Sequence, residues 1–267
     1  MVTVSFFTAL VVKYGETLAG PIAREVIGDP VHVFASQVPA EAGAEAVARM
    51  LPNGVDDTAR QVMTADESGG VNDLTIGVPV GIAKVRLVVQ AKESRLLVVG
   101  LRLVVTERRP PLAATLLAVG TQGGPGKPVQ VFFDVDAPGA DTKQGTPARN
   151  LERRDYFKGE NFELDANQSV EFRAAVTTRE CHCRWHLEVD VVLDGKLRSV
   201  AARQPDGRDF ESTGAVPDPT EVYTIPHTPV PNPLATAGPW VGVDPREFCA
   251  PDSWLGELCD PTAWPAP

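Results

Sequence analysis

A chain of 267 residues is long enough to bury one sizeable hydrophobic core or two small ones. Its 43% hydrophobic and 22% charged content matches ordinary globular proteins and excludes wholesale disorder and a polytopic membrane protein. The formal net charge of -10 sets up an acidic field that repels phosphate backbones, so nucleic acid is not an expected partner of this chain.

The first twelve residues are an apolar run, VTVSFFTALVV after Met1, that stops at Lys13. It is shorter than the ~20 apolar residues of a spanning helix, and no Lys or Arg precedes Phe6 as a signal peptide would require. Val11, Tyr14, Leu18, Ile22 and Val26 recur at three- and four-residue spacing, with Lys13, Glu16, Arg24 and Glu25 elsewhere. This predicts an amphipathic N-terminal helix within residues 1–28, interrupted at Pro21. Three readings stand: a helix packed on the core, a helix lying at a membrane interface, or the stump of a membrane anchor that begins upstream of Met1. Membrane contact would run through residues 1–27.

Gly28-Asp29-Pro30 breaks that helix, and Val31 to Val38 alternates as a strand. Pro39 followed by AEAGAEAVARML (Ala40 to Leu51) predicts one short extra helix, with Ala42, Ala46, Val47, Met50 and Leu51 on its apolar side and Pro52 closing it. After a polar stretch from Asn53 to Asp73, strands are expected at Leu74 to Val80, Ile82 to Ala91, Leu96 to Thr106, Ala113 to Val119 and Val129 to Asp136. In the last of these Val129, Val131, Phe133 and Val135 share one parity, against Gln130, Asp134 and Asp136 on the other. Arg108-Arg109-Pro110-Pro111 and the Gly- and Pro-rich Gly120 to Pro128 are joints. With few helical signals between strands there is no room for parallel crossovers. The fold class is therefore mainly β, an antiparallel β-sandwich of immunoglobulin-like or related form.

Ala137 to Glu160 is a long polar connection. Solvation is the plain reading; its functional counterpart is a binding loop carrying Arg149, Arg153 and Arg154, anchored by Tyr156 and Phe157. Strands resume at Ser169 to Val176, Cys183 to Leu193 and Lys196 to Ala202, the last two joined by a tight Asp194-Gly195 turn. Val170, Phe172, Ala174 and Val176 should share a core with Trp185, Leu187, Val189 and Val191. Beyond Phe210 prolines accumulate, but Val222, Tyr223, Ile225, Trp240, Trp254 and Trp264 should hold parts of this extended segment against the domain. The chain thus divides into residues 1–28 as a helix, 29–214 as the sandwich domain and 215–267 as a Pro-rich tail with a cysteine-closed loop.

Four cysteines form two local pairs, Cys181 with Cys183 and Cys249 with Cys259, which suit disulfides in an oxidising compartment or zinc ligands in a reducing one. One residue between Cys181 and Cys183 is too few for a zinc knuckle, and on a strand His182 and His186 face away from both thiols. The same opposition counts against a nucleophilic cysteine with a histidine base. For two local bridges, loop closure contributes ~2.8 kcal/mol at Cys249–Cys259 and ~1.6 kcal/mol at Cys181–Cys183; a crossed connectivity remains open. No Gly-x-Ser-x-Gly elbow, phosphate loop or HExxH helix occurs, and His32 and His227 read as structural or surface residues. Asp134 with Asp136, and Glu188 with Asp190, each share a strand face and would serve as a calcium site or an acid/base pair. The simpler reading is a solvated outer face. No metal, cofactor or catalytic residue is assigned.

The stretch TTRECHCRWHLEVDVVLDGKLRSVAARQPDGRDFESTG, from Thr177 to Gly214, resembles uncharacterised actinomycete envelope proteins, common in Streptomyces-like genomes. In these a CxCxW strand is followed by a polar turn and a DGRxF-like segment, here Asp206 to Phe210. VVQAKESRLLVVGLRLVV and VQVFFDVDAP are similar to strands of that family, so the likeness covers most of Ile82 to Gly214. The resemblance implies an outer β-rich domain behind an N-terminal membrane helix. It therefore favours the anchor reading of Val2 to Val12 and disulfides over zinc, and it transfers no activity. The function expected is a non-catalytic binding or sensing domain outside the membrane, with an unknown protein or envelope ligand as partner. The rivals are a structural envelope protein and an enzyme using outer-face carboxylates.

Overall fold

The computed structural model describes residues 30–38, 46–65, 76–92, 94–120, 130–137, 139, 145–150, 154–224, 240–250, 253, 256–260 and 262. The expected N-terminal helix, Arg153, Ile225, His227, Trp254 and Trp264 lie outside these residues. In chain order the elements begin with β1 (Val31–Gln37), β2 (Ala46–Leu51), α1 (Asp57–Ala65), β3 (Val78–Pro79), β4 (Ile82–Ala91), β5 (Leu96–Arg109), β6 (Thr115–Gly120) and β7 (Gln130–Asp134). There follow β8 (Thr146–Pro147), β9 (Phe162–Leu164), β10 (Ser169–Thr177), β11 (His182–Leu193), β12 (Lys196–Ala202) and β13 (Phe210–Thr213). The C-terminal segment adds β14 (Glu221–Thr224), β15 (Val241–Val243), the short helix α2 (Pro245–Phe248) and a 3-10 turn at Gly256–Cys259.

The fold is mainly β, as its period-two pattern requires. The first sheet has the order β1-β4-β10-β7, and the second β12-β11-β5-β8 with β13 beside β11 and β9 beside β5. In β4 Ala83, Val85, Leu87, Val89 and Ala91 are buried while Lys84, Arg86 and Gln90 alternate with them. In β11 Cys183, Trp185, Leu187, Val189, Val191 and Leu193 are buried against β4, β10 and β7. These inner faces form one continuous core that includes Phe133, Phe172 and Phe210. Each buried Val, Leu or Phe contributes roughly 1.5–3 kcal/mol by leaving water. Two irregularities in the β5–β11 register, at Arg184/Trp185 and Asp190/Val191, let the long strands coil. Gly100 sits at the second, where a Cβ would lie 2.9 Å from Asp190 Oδ2.

The third sheet, β15-β14-β6-β2-β3, overturns part of the sequence reading. Ala46 to Leu51, expected to end a helix, is instead strand β2, paired with β6 and β3. Ala48 and Met50 pack on one face and Leu51 on the other, so both faces are apolar; alternation is hidden and sheet pairing overrides helix propensity. The helix falls one segment later, at α1 in the stretch read as polar, where the Asp56 carboxylate caps it by accepting from the Ala59 amide at 2.8 Å. Parallel crossovers were expected to have no room, yet among the described residues strands pair in parallel at β10–β7 and at β14–β6. The partners come together through long excursions of the chain, not tight βαβ units.

One face of the third sheet is covered by α2 and the 256–259 turn, through Phe248, Leu258 and Cys259 against Met50, Leu116, Ala118 and Val222. The other carries α1 and Trp240, with Ala59 and Met63 near Leu51, Leu117 and Tyr223. The Pro-rich segment therefore supplies two strands and part of a core. The third sheet joins the second where Val80 bridges Thr213 and the Gly81 amide donates to the Thr213 carbonyl at 2.9 Å.

Candidate functional site

The candidate binding loop is built into the sandwich. The Ala148 amide donates to Leu101 at 2.7 Å, Arg149 bridges Phe132, and the Tyr156 amide returns to Ala148 at 2.9 Å. This closes the gap between β7 of the first sheet and β8 of the second, covering an edge that would otherwise be left open. Tyr156 and Phe157 join Phe162 and Phe172 in an aromatic cluster, with ring centroids 5.1 to 6.0 Å apart. Burial, aided by the Glu160 charge, pushes the Tyr156 hydroxyl above its ordinary pKa. Arg149 and Arg154 are exposed on the surface of this plug.

At the start of β11 the Cys181–Cys183 and, farther on, the Cys249–Cys259 pairs are disulfide-bonded, each with Cα atoms 5.5 Å apart. Neither Cys181 nor Cys183 is then a thiolate free to bind a metal. Around this bridge the outer-face reading of Asp134 and Asp136 fails. The Asp136 side chain is 3% exposed and accepts from the Arg179 amide at 2.7 Å, with Arg179 Nε and Arg108 Nη1 each 3.7 Å from it. Arg179 Nη2 reaches Asp134 at 2.8 Å, and Arg108 donates to the Val135 carbonyl. Cys181 Sγ lies 3.8 Å from Asp136 Oδ1 and 3.9 Å from Arg108 Nη1. Bonded to another sulfur, it carries no proton to donate. The chain turns just after β7 and carries Asp136 inward, where arginines from two other segments meet it; none of these distances is visible in local sequence.

The Cys181–Trp185 run and the Asp206–Phe210 run face each other. Trp185 of the CxCxW run pairs with Phe210 of the DGRxF-like run, their rings stacked with centroids 5.0 Å apart. The indole Nε1 donates to Ser212 Oγ at 2.8 Å, and Ser212 bonds Thr178 at 2.6 Å. The motif is thus a strand pair sealing one end of the core.

The outer face of the second sheet carries Glu188 and Asp190, and arginine holds both. Arg102 donates through Nε and Nη2 to Asp190, each at 2.8 Å, and lies 2.8 Å from Glu188. Ser199 Oγ adds a 2.5 Å bond to Asp190. Burial alone would raise the Asp190 carboxyl, but the Arg102 and Ser199 bonds outweigh it and hold it below the usual carboxylate range. Asp209 behaves alike: burial opposes, while Thr106 at 2.6 Å and Arg203 at 2.8 Å prevail. His186 lies between them, 3.3 Å from Asp209 and 3.9 Å from Glu188, and its burial lowers its pKa despite both carboxylates. His182 faces Glu211 at 3.2 Å, on the side away from the cysteines. Sequence reasoning also missed Arg49, buried in β2 and donating to the Gly77 carbonyl at 2.9 Å; burial pushes its pKa down to about 10.

Comparison of the chain with protein-family models, curated proteins and solved structures finds no match. Among the described residues no helix is long and apolar enough to cross a membrane.

Proposed function

We propose that this chain is an extracytoplasmic β-sandwich of a cell envelope that works by binding or sensing without catalysis. The observation that carries this reading is the cluster around Cys181–Cys183, in which a disulfide and two carboxylates are built together as a structural lock. A general acid needs a raised pKa and an open path to substrate. Asp190, bonded by Arg102 and Ser199, and Asp209, bonded by Thr106 and Arg203, are instead held below the usual carboxylate range, and Asp136 is enclosed. Two disulfides are compatible with an extracellular location, where oxidised cysteine persists. The likeness of Thr177 to Gly214 to actinomycete envelope proteins supports the same placement.

A membrane-impermeant amine reagent applied to intact cells tests it. Lys196, exposed at the β11–β12 hairpin, should be labelled before lysis. Labelling only after lysis overturns the placement.

A further inference from the structure

We infer that Arg49 holds the carboxylate of a small apolar monocarboxylic acid on the α1 face of the third sheet, an inference that rests on the binding role proposed above and names its ligand class. Arg49 stands in β2 between Pro79 of β3 and Leu117 of β6. By strand parity its side chain shares the face of Leu51 and Leu117, where Met63, Ile76 and Tyr223 also pack. It is 4% exposed, and its hydrogen bond runs from Nη1 to the Gly77 carbonyl at 2.9 Å. Gly77 is shaped for that contact, since its φ is 76° and a Cβ there would lie 2.8 Å from the Met50 carbonyl oxygen. No carboxylate of the described residues pairs with Arg49. Glu221, on the same face, is exposed and held by Thr115 Oγ1 at 3.0 Å. Arg102, Arg108 and Arg179, by contrast, each face a carboxylate. A charge taken out of water without a counter-charge is costly, and burial lowers the Arg49 pKa with no neighbouring charge to raise it again.

With Nη1 tied to Gly77, Nε and Nη2 are left, neither bonded nor sealed from solvent. Their parallel N–H groups are the fork that a planar carboxylate accepts side-on with both oxygens. A single carboxylate neutralises the guanidinium, whereas a phosphate dianion brings one charge more than Arg49 balances. Leu51, Leu117 and Met63 offer no strong hydrogen-bonding group, so the remainder of the ligand is apolar. A side chain this enclosed is out of reach of a bilayer or of the surface of a folded partner, which leaves a small free acid.

Isothermal titration calorimetry of the full chain with octanoate tests the inference, with acetate, octanamide and octyl phosphate as comparison probes. Octanoate should bind saturably and at least ~10-fold more tightly than acetate, because its tail leaves water. It should exceed octanamide by at least ~10-fold as well, since the amide brings no charge to the guanidinium, and octyl phosphate should also bind more weakly. Arg49→Met should weaken octanoate binding at least ~10-fold. Arg49→Lys, which keeps the charge and loses the fork, should weaken it about 3-fold or more. The wild-type comparison of octanoate with octanamide decides even where a variant does not fold. The inference is overturned by absent octanoate binding, by acetate, octanamide or octyl phosphate binding as tightly, or by a folded Arg49→Met chain that keeps the wild-type affinity. Failure here with Lys196 labelled on intact cells removes the ligand class and leaves the extracytoplasmic placement standing.

Discussion

Replacing Asp136 tests the lock at the start of β11. The carboxylate is enclosed, accepts one charge-assisted bond from the Arg179 amide and faces two guanidiniums at 3.7 Å. The bond is worth ~1.5–3 kcal/mol, and breaking a buried pair costs ~3–5 kcal/mol. Because Arg108 and Arg179 keep a third and a quarter of their side-chain surface in water, the Coulomb share is discounted. Asp136→Ala should therefore lose ~3 kcal/mol. Asp136→Asn, which keeps an acceptor for the amide, should lose ~1–2 kcal/mol. Urea unfolding at neutral pH without reductant reads this as a midpoint shift of about 1 M at unchanged slope for the alanine variant. Glu163→Gln, at an exposed pair with Arg95, is the control and should stay within ~0.5 kcal/mol. An alanine variant as stable as that control would refute the lock.

Gly214→Ala should cost ~3 kcal/mol or more, because its Cβ would sit 1.9 Å from the Arg179 carbonyl oxygen while the residue's own amide is tied to Cys181 at 2.8 Å. Differential scanning calorimetry should show a fall of roughly 6–10 °C in Tm; a change under ~2 °C contradicts the clash. His186 has a folded pKa below its ordinary value, so the unfolded chain takes up its proton first. Its contribution is complete above about pH 6.5 and is lost as pH falls towards the folded value, at most ~1.4 kcal/mol per pH unit. His186→Asn should flatten the stability profile between pH 6.5 and 5, and a variant with the wild-type slope would place the titration elsewhere.

The sandwich was legible because β4, β10 and β11 each bury one face only, and alternation is the direct record of that. Asp194-Gly195 was legible as a turn for the same local reason: both residues have positive φ, 50° and 72°, which few other pairs tolerate. Strand β2 was not, because burial on both faces leaves Ala, Met, Arg and Leu with no polar side to mark the period. Short strands such as β8, β9 and β13 exist through pairing with β5 and β11, and so carry little signal of their own. The cysteine pairs were visible as spacing. Their setting was not, since Arg108, Asp136 and Arg179 lie far apart in the chain and meet only where the ends of β5 and β7, from different sheets, come against the β10–β11 connection. Asp134 and Asp136 looked solvated by parity, but the turn that follows β7 carries Asp136 inward and Arg179 covers Asp134.

Peptide mapping of the unreduced chain, alkylated at once on recovery from the cells that make it, bears most directly on the proposal of an exported domain closed by its own bridges. The expected result is Cys181 joined to Cys183 and Cys249 joined to Cys259, with no alkylated cysteine. Alkylation at any of the four positions would contradict both the placement and the lock, and a bridge crossing from the β11 pair to the C-terminal pair would contradict the lock.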